Sequence, residues 1–172
     1  MINKKVEKAV NKQINAELWS AYLYLSMSSY FASTGLSGFA NWMRIQWQEE
    51  TAHALIFFDY LNERGGEVEL KSIDDVPKKW DSPLAAFEEV LKHEQKVTSL
   101  INNLMDIAID ERDHATKSKL QWFVDEQVEE EANAQAIIDN LKLIGGKGDG
   151  LLLLDRELKQ RVFVDPAISA NA

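Results

Sequence analysis

Four glutamates occupy positions at which a helical pattern predicts apolar residues. In each of four long segments, apolar residues recur with the 3.6-residue period of an amphipathic helix, and one glutamate lies on the same face. In the second segment, a histidine follows that glutamate at i+3. Inward-facing carboxylates accompanied by an imidazole are typical of a metal site in a helical bundle. The residues concerned are Glu17, Glu50 with His53, Glu94 and Glu130.

The four glutamates also share one height in the predicted fold. Each lies within about two residues of the midpoint of its segment, so an antiparallel bundle brings all four carboxylates into one central layer. Ionised carboxylates packed together away from water cost several kcal/mol each if nothing compensates them. Protonation could neutralise some of them, but two divalent metal ions would neutralise all four. Oxygen-rich ligation with one imidazole suits iron or manganese better than a structural zinc site.

Polar and glycine-containing breaks divide the chain into four long helical segments and a short one. The first and third connections are short and predict antiparallel helix pairs, whereas the middle one, about residues 65–82, could cross the whole bundle. We predict an all-α four-helix bundle with one long crossover and a short fifth C-terminal helix, in a single domain over residues 1–172. The predicted helices are about 4–32, 37–64, 83–109, 114–144 and 149–162, and the tail is 163–172.

Composition excludes several classes of function. The 172 residues include 28 acidic and 19 basic ones, and a net charge of −9 argues against a nucleic-acid partner. The absence of cysteine excludes disulfides and thiolate metal sites. No apolar stretch approaches the ~18 residues of a membrane span, and polar residues interrupt the N-terminal segment, so we expect neither a membrane segment nor a signal peptide. We therefore expect a cytoplasmic protein.

The two halves of the predicted site differ in their ligands. Di-iron bundles typically carry Glu-x-x-His in two of their helices. This sequence has it once, as Glu50-x-x-His53, and the corresponding place in the fourth segment reads Gln127-x-x-Glu130. We therefore expect the second metal ion to have a poorer, all-oxygen shell. Such an asymmetry favours transfer of the metal ion to another site over permanent binding.

Three segments resemble those of prokaryotic ferritins, and the resemblance covers essentially the whole chain, including the short fifth segment. They are Gln48–His53, Lys92–Gln95 and Glu126–Glu131. The resemblance is to the non-haem members, because Thr51 stands where haem-binding bacterioferritins have methionine, and the fourth segment lacks their Glu-x-x-His. Mini-ferritins that bind DNA build their site between subunits and lack the fifth helix. The resemblance thus implies a ferritin-like bundle that binds iron and no haem.

The resemblance also implies a role for each site residue. The first iron of a ferroxidase centre would be held by Glu17, Glu50 and His53, with Glu50 bridging to a second iron. The second iron would be held by Glu94 and Glu130. Gln127 resembles a residue close to that centre, and Tyr24 resembles the tyrosine beside the iron pair. A third iron site would share Glu130, and its other ligands would be Glu49, Glu126 and Glu129.

The implied function is oxidation of Fe(II) by O₂ or H₂O₂, followed by storage of ferric mineral in a homo-oligomeric shell of twenty-four subunits. One alternative is a di-iron or manganese carboxylate oxidase or oxygenase that acts on an organic substrate and has no storage role. Another is an interaction bundle without metal, which would leave the central carboxylates unexplained.

Several residues outside the central layer have more than one interpretation. Asp110, Glu111 and Asp113 could line a pore for ions in a shell, and a polar loop between helices explains them equally well. His93 and His114 lie off the apolar stripes and are expected at the surface. The apolar fifth segment, with Leu151 to Leu154, Leu158 and Val162, follows a complete bundle and predicts a surface for a partner.

Overall fold

The computed structural model describes residues 1–167, and in these residues the secondary structure is entirely helical. The fold class therefore agrees with the prediction. Residues 168–172 of the predicted tail lie outside the described residues. In the part that is described, no helix has an apolar stretch long enough to span a membrane. The helices are α1 (Lys4–Ser33), α2 (Ser37–Glu63), α3 (Pro83–Asp110), α4 (His114–Ile144) and α5 (Gly148–Leu158).

Side-chain caps define where three of the helices begin. The Asn3 side chain accepts a hydrogen bond from the amide of Lys5 (2.8 Å) at the start of α1. Ser82 and Asp113 cap α3 and α4 in the same way, with Pro83 as the first residue of α3. A polar side chain in these positions satisfies one of the amides that the first helical turn leaves without a partner. The caps explain why these helix starts lie at the predicted positions.

Short connections at residues 34–36 and 111–113 join α1 to α2 and α3 to α4 as antiparallel pairs. Both pairs were predicted. The end of α2 is tied to the start of α4 by Arg64, which donates from both terminal nitrogens to the Asp113 carboxylate (3.0 Å each). A bidentate pair of this kind fixes orientation as well as distance. The two hairpins are therefore held at a defined height relative to each other.

The crossover between α2 and α3 is hydrogen-bonded along α1 by two asparagine side chains. Asn11 donates to the carbonyl of Glu67 (2.8 Å) and accepts from the amide of Glu69 (2.7 Å). One turn later, Asn15 donates to the carbonyl of Glu69 (2.8 Å) and accepts from the amide of Lys71 (2.8 Å). Four helical residues advance ~6 Å and two extended residues advance ~6.6 Å, so the two repeats match. The two asparagine side chains thus make the hydrogen bonds to the crossover backbone that a neighbouring strand would make in a sheet.

Helix α5 is attached to the start of α2. The N-cap residue of α2 makes no side-chain hydrogen bond. Asp155 of α5 replaces that cap, because its Oδ1 accepts from the amides of Gly38 (2.8 Å) and Phe39 (3.1 Å). The approach requires glycine, since a β-carbon at Gly38 would lie 1.6 Å from the carbonyl oxygen of Asp155. Helix α5 is therefore seated by a close contact between two backbones.

Helix α5 is shorter than the predicted segment 149–162, because it ends at Leu158. The side chain of Asn41 on α2 donates to the carbonyls of Leu158 (3.3 Å), Lys159 (3.4 Å) and Arg161 (3.0 Å). The last carbonyls of a helix have no partner within the helix, and Asn41 gives these three a donor from α2. The chain after α5 is therefore held against α2.

Two apolar clusters fill the bundle, one on each side of its middle. The first combines the second half of α1 and the first half of α2, and contains Tyr24, Phe31, Phe39, Phe87 and Leu141. The second combines the opposite halves of the same helices, and contains Val10, Ile14, Phe57, Ile101 and Phe123. The core is therefore interrupted at its waist, where the helix midpoints meet.

Candidate metal centre

The four predicted glutamates and the histidine lie at this waist and are buried, as the sequence predicts. Relative exposure is 1% for Glu17, 2% for Glu50, 2% for His53, 1% for Glu94 and 3% for Glu130. Each of the four long helices contributes one carboxylate. Acidic side chains are almost never this buried unless they are paired or bind a metal.

Three of these side chains converge, and each of them has a buried atom without a hydrogen-bond partner. Glu17, Glu50 and His53 each offer one atom, and these atoms lie within 4.8 Å of one another. The Nδ1 atom of His53 lies 3.6 Å from Oε2 of Glu50. Within residues 1–167, five buried side-chain atoms lack a hydrogen-bond partner, and three of them are Glu17 Oε2, Glu50 Oε2 and His53 Nε2. Each such atom costs about 1–3 kcal/mol, so a ligand is expected at this point.

Amide and phenol donors hold the other two carboxylates. The hydroxyl of Tyr24 donates to Oε1 of Glu94, and Nε2 of Gln127 lies 3.4 Å from Oε2 of the same residue. Glu130 accepts at Oε2 from Nε2 of Gln46 (2.9 Å). The structure therefore brings Glu94 and Glu130 into the layer, but does not draw their oxygens into the tight group formed by the other three residues.

Burial and mutual repulsion change the protonation of the layer. Burial, together with the charge of Glu130, raises the pKa of Glu94 to about 8. Burial raises the pKa of Glu50 well above its usual range, and the charges of Glu94 and Glu17 act in the same direction. Burial lowers the pKa of His53. The imidazole is thus neutral and able to bind a metal, whereas a cation must displace protons from the carboxyls.

Comparison with known proteins identifies the family of this chain. The family described as a ferritin-like domain matches residues 7–144. The chain belongs to the ferritin family. A bacterial non-heme ferritin of Bacteroides fragilis is 50% identical over 161 residues, which are 94% of this chain and 100% of that protein. One of Campylobacter jejuni is 41% identical over 159 residues, with 92% and 95% covered.

Solved ferritin structures share the fold over almost the same length. An open-pore ferritin from the hyperthermophilic archaeon Archaeoglobus fulgidus superposes with a TM-score of 0.93 at 56% identity, covering 94% of this chain and 100% of the other. A form of the A. fulgidus ferritin engineered to be closed gives a TM-score of 0.94 at 55% identity, covering 95% and 100%.

Two glutamines of this ferritin support the carboxylates and were not singled out from the sequence. Nε2 of Gln13 donates to Oε1 of Glu17 (2.7 Å), and Gln46 reaches Glu130 across the bundle. Gln13 precedes Glu17 by four residues, a spacing at which helical side chains meet. That spacing was a usable signal for Gln13. The partner of Gln46 lies on another helix, and no local pattern indicates it.

The expectation for His93 was wrong. Its side chain is buried (9% exposed), and Nε2 lies 2.8 Å from the hydroxyl of Ser20. Its ring packs against Trp19 and Tyr24, with centroids 5.4 and 6.2 Å apart. Burial lowers its pKa to about 4. The ring fills the space between α1 and α3, which an apolar stripe on α3 alone does not reveal. His114 is exposed, as expected.

The residues of the expected third site lie at one edge of the layer. Glu49 and Glu126 are half-buried and Glu129 is exposed. Burial raises the pKa of both half-buried carboxyls to about 7. The structure does not bring ligand atoms of these residues into a tight group. Instead, Nη2 of Arg161 donates to Oε2 of Glu49 at 2.6 Å.

Two acidic residues of the loop between α3 and α4 have partners within the chain. Oε1 of Glu111 accepts from Nζ of Lys5 (2.5 Å), and Asp113 caps α4 while pairing with Arg64. Asp110 is exposed at the end of α3. These contacts agree with the polar-loop interpretation for Glu111 and Asp113.

Proposed function

We propose that this ferritin stores iron and oxidises Fe(II) at the carboxylate layer in the middle of the bundle. Glu17, Glu50 and His53 hold the first iron, Glu50 bridges, and Glu94 and Glu130 hold the second. The observation that carries this proposal is the convergence of three buried side chains, each of which also has an atom without a hydrogen-bond partner. Their donor set, two carboxylates and a neutral imidazole, fits Fe(II).

Further residues act beside this pair. Tyr24 and Gln127 orient Glu94 by the hydrogen bonds that they donate to it. Glu49, Glu126 and Glu129, with Glu130 shared, form a third site for iron at the edge of the layer. The charge of Glu130 acts on both Glu49 and Glu126, so these carboxylates lie close enough for iron to pass from one to the next.

The charge of the layer favours oxidation as well as binding. Two Fe(II) ions neutralise four carboxylates, and the same negative charge stabilises Fe(III) more than Fe(II), because the Coulomb energy grows with the charge of the ion. Each iron gives up one electron. Two electrons and two protons convert O₂ to H₂O₂, or convert H₂O₂ to two molecules of water. Both oxidants therefore balance with an iron pair.

The ligands also favour onward movement of the oxidised iron. His53 groups with Glu17 and Glu50, whereas the ligands that we assign to the second iron, Glu94 and Glu130, are both carboxylates. A carboxylate can bridge two neighbouring ions and pass one of them on, whereas an additional imidazole ligand would hold the iron in place. We propose that ferric iron leaves this side for mineral storage.

Storage requires a container, and we propose a homo-oligomeric shell of twenty-four copies. Helix α5 and the chain after it expose large apolar side chains: Leu152 (51%), Leu153 (64%), Val162 (72%) and Val164 (67%). Apolar side chains exposed together indicate a contact surface. Size-exclusion chromatography tests the assembly, because a species near the 19.6 kDa of one chain would contradict the shell.

Iron uptake tests the function directly. The purified protein, mixed aerobically with Fe(II), should oxidise many more than two irons per chain and keep them soluble. The variant Glu50→Ala removes the bridging carboxylate, and we expect the fast initial phase to be lost while the helical circular-dichroism signal is unchanged. Glu63→Ala, at the exposed end of the same helix, is the matched control and should oxidise iron normally.

Three results would contradict the proposal. Unchanged initial rates in Glu50→Ala would place the site elsewhere. Oxidation that stops at two irons per chain, or iron that precipitates as it does without protein, would reject storage. Oxidation that stops at two irons would favour a di-iron oxidase. Against that alternative, the ring of Phe123 lies 5.8 Å from that of His53 and stacks on Phe57 at 4.0 Å, so aromatic side chains pack next to the layer.

A further inference from the structure

Arg161 is held in a fixed place beside the acidic edge of the layer. Its carbonyl accepts a hydrogen bond from Asn41 of α2 (3.0 Å), so the backbone is anchored three residues after the end of α5. The guanidinium carbon lies 4.6 Å from the centre of the Trp42 ring, which is the distance of a cation–π contact. The side chain is therefore packed against the protein, and only 23% of its surface is exposed.

The guanidinium is directed at one carboxylate of the proposed third iron site. Nη2 of Arg161 lies 2.6 Å from Oε2 of Glu49, a short charge-assisted hydrogen bond, and the Glu49 side chain is 16% exposed. The other terminal nitrogen, Nη1, is buried and has no hydrogen-bond partner. A guanidinium used only for structure would have its donors satisfied. Here one terminal nitrogen is without a partner although the other is paired with Glu49.

The positions of the acids explain why this contact matters for metal binding. Glu49 directly precedes Glu50 on α2, and Glu126 and Glu130 lie about one turn apart on α4. A metal ion at the third site needs Oε2 of Glu49 or its partner oxygen as a ligand, and it adds positive charge next to the guanidinium. The cation of Arg161 and a metal ion therefore compete for the same carboxylate.

We propose that Arg161 is a displaceable counter-cation of the third site: it holds Glu49 while the site is empty, and a metal ion must break that ion pair to bind. The inference rests on the proposed function for the identity of the site. The third site therefore binds metal more weakly than the same four carboxylates would without the arginine. This lower affinity keeps iron at the third site exchangeable. The Trp42 ring gives the displaced guanidinium a place to remain.

Titration with Zn(II), which cannot be oxidised under these conditions, tests the competition without measuring activity. Isothermal titration calorimetry on the assembled, metal-free protein should resolve tight sites at the centre of the layer and a weaker class at its edge. In Arg161→Gln, we expect the weaker class to bind about tenfold more tightly, as expected for loss of one partly buried charge-assisted hydrogen bond. The tight class should not change.

Matched variants separate charge from structure. Arg161→Lys keeps the positive charge and should keep the weaker class near its wild-type affinity. Arg156→Gln removes an exposed charge from α5 and should have no effect. In Arg161→Gln combined with Glu126→Ala, the gain in affinity should disappear, because the site that gains is damaged.

Each other outcome overturns the inference. An unchanged edge class in Arg161→Gln means that no competition exists, and a weaker one means that Arg161 supports the site. If the edge class is absent from wild type and from all variants, then the third site does not exist. A tight class that is still present would then support the central iron pair of the proposed function. Absence of the tight class would be a failure of the proposed function.

Discussion

Replacing Glu94 by glutamine should stabilise the metal-free protein, and more so as the pH rises. Glu94 is 1% exposed, and burial with the charge of Glu130 raises its pKa from the ordinary 4.5 to about 8. The folded state therefore binds this proton more tightly than the unfolded state does. The free energy of unfolding must fall as the pH rises from 4.5 towards 8, because the unfolded chain loses the proton first.

The size of the effect follows from the pKa. Each pKa unit corresponds to ~1.4 kcal/mol, so full ionisation of Glu94 costs the folded state about 5 kcal/mol relative to an ordinary carboxyl. About 3 kcal/mol of that is lost between about pH 5.5 and pH 8.5. Glutamine keeps an oxygen for the hydroxyl of Tyr24 and cannot ionise. The variant should therefore show a much flatter dependence of stability on pH.

Denaturant unfolding of chelator-treated protein measures this difference. Wild type and Glu94→Gln are compared at about pH 5.5 and pH 8.5, at equal subunit concentration, because assembly shifts apparent stability. Glu88→Gln, a half-exposed carboxylate on the same helix, is the control and should follow wild type. Saturating Zn(II) should remove or reverse the decline in wild type, since a metal ion binds the ionised layer.

One result would refute the reasoning. If wild type keeps its stability between the two pH values, or if Glu94→Gln declines as steeply, then Glu94 is not held protonated by its surroundings. The layer would then tolerate its charge without metal, and the electrostatic basis of the site would be wrong.

Three other changes test separate contacts. Gly38→Ala should displace α5, because the added carbon meets a carbonyl at 1.6 Å, and tryptic cleavage at Arg156 should accelerate; unchanged cleavage would contradict the close approach. Asn11→Ala removes two hydrogen bonds to the crossover and should lower the free energy of unfolding by about 1–3 kcal/mol. Hydrogen exchange at the amide of Glu69, which donates to Asn11, should become faster. Tyr24→Phe removes a donor that lowers the pKa of Glu94, so the decline of stability with pH should extend to higher pH, as denaturant unfolding will show.

The central layer could be predicted because its signals are local. A glutamate on an apolar stripe such as Glu17 or Glu130 is visible from helical periodicity alone, and its height follows from the length of its own segment. The helix starts were equally accessible, because Asn3, Ser82 and Asp113 cap helices that begin within a few residues of them. The fold class followed from these elements and from the lengths of their connections.

Contacts between distant parts of the chain could not be predicted in this way. Asp155 caps a helix that begins more than a hundred residues earlier, and no pattern around Asp155 indicates that role. The burial of His93 depends on Ser20 and on the width of the gap between two helices. Arg161 lies beyond the end of α5, and its direction is set by Asn41 and Trp42. In each case the partner is determined by packing geometry.

The asparagine contacts to the crossover also determine where this chain can accept extra length. In an extended segment, carbonyls and amides alternate in direction with a period of two, so one residue added between Glu67 and Lys71 would turn every later group away from Asn15. That stretch has the strict register of a strand. Residues 72–75 are exposed and follow the last asparagine contact, so a peptide inserted there should leave the register intact.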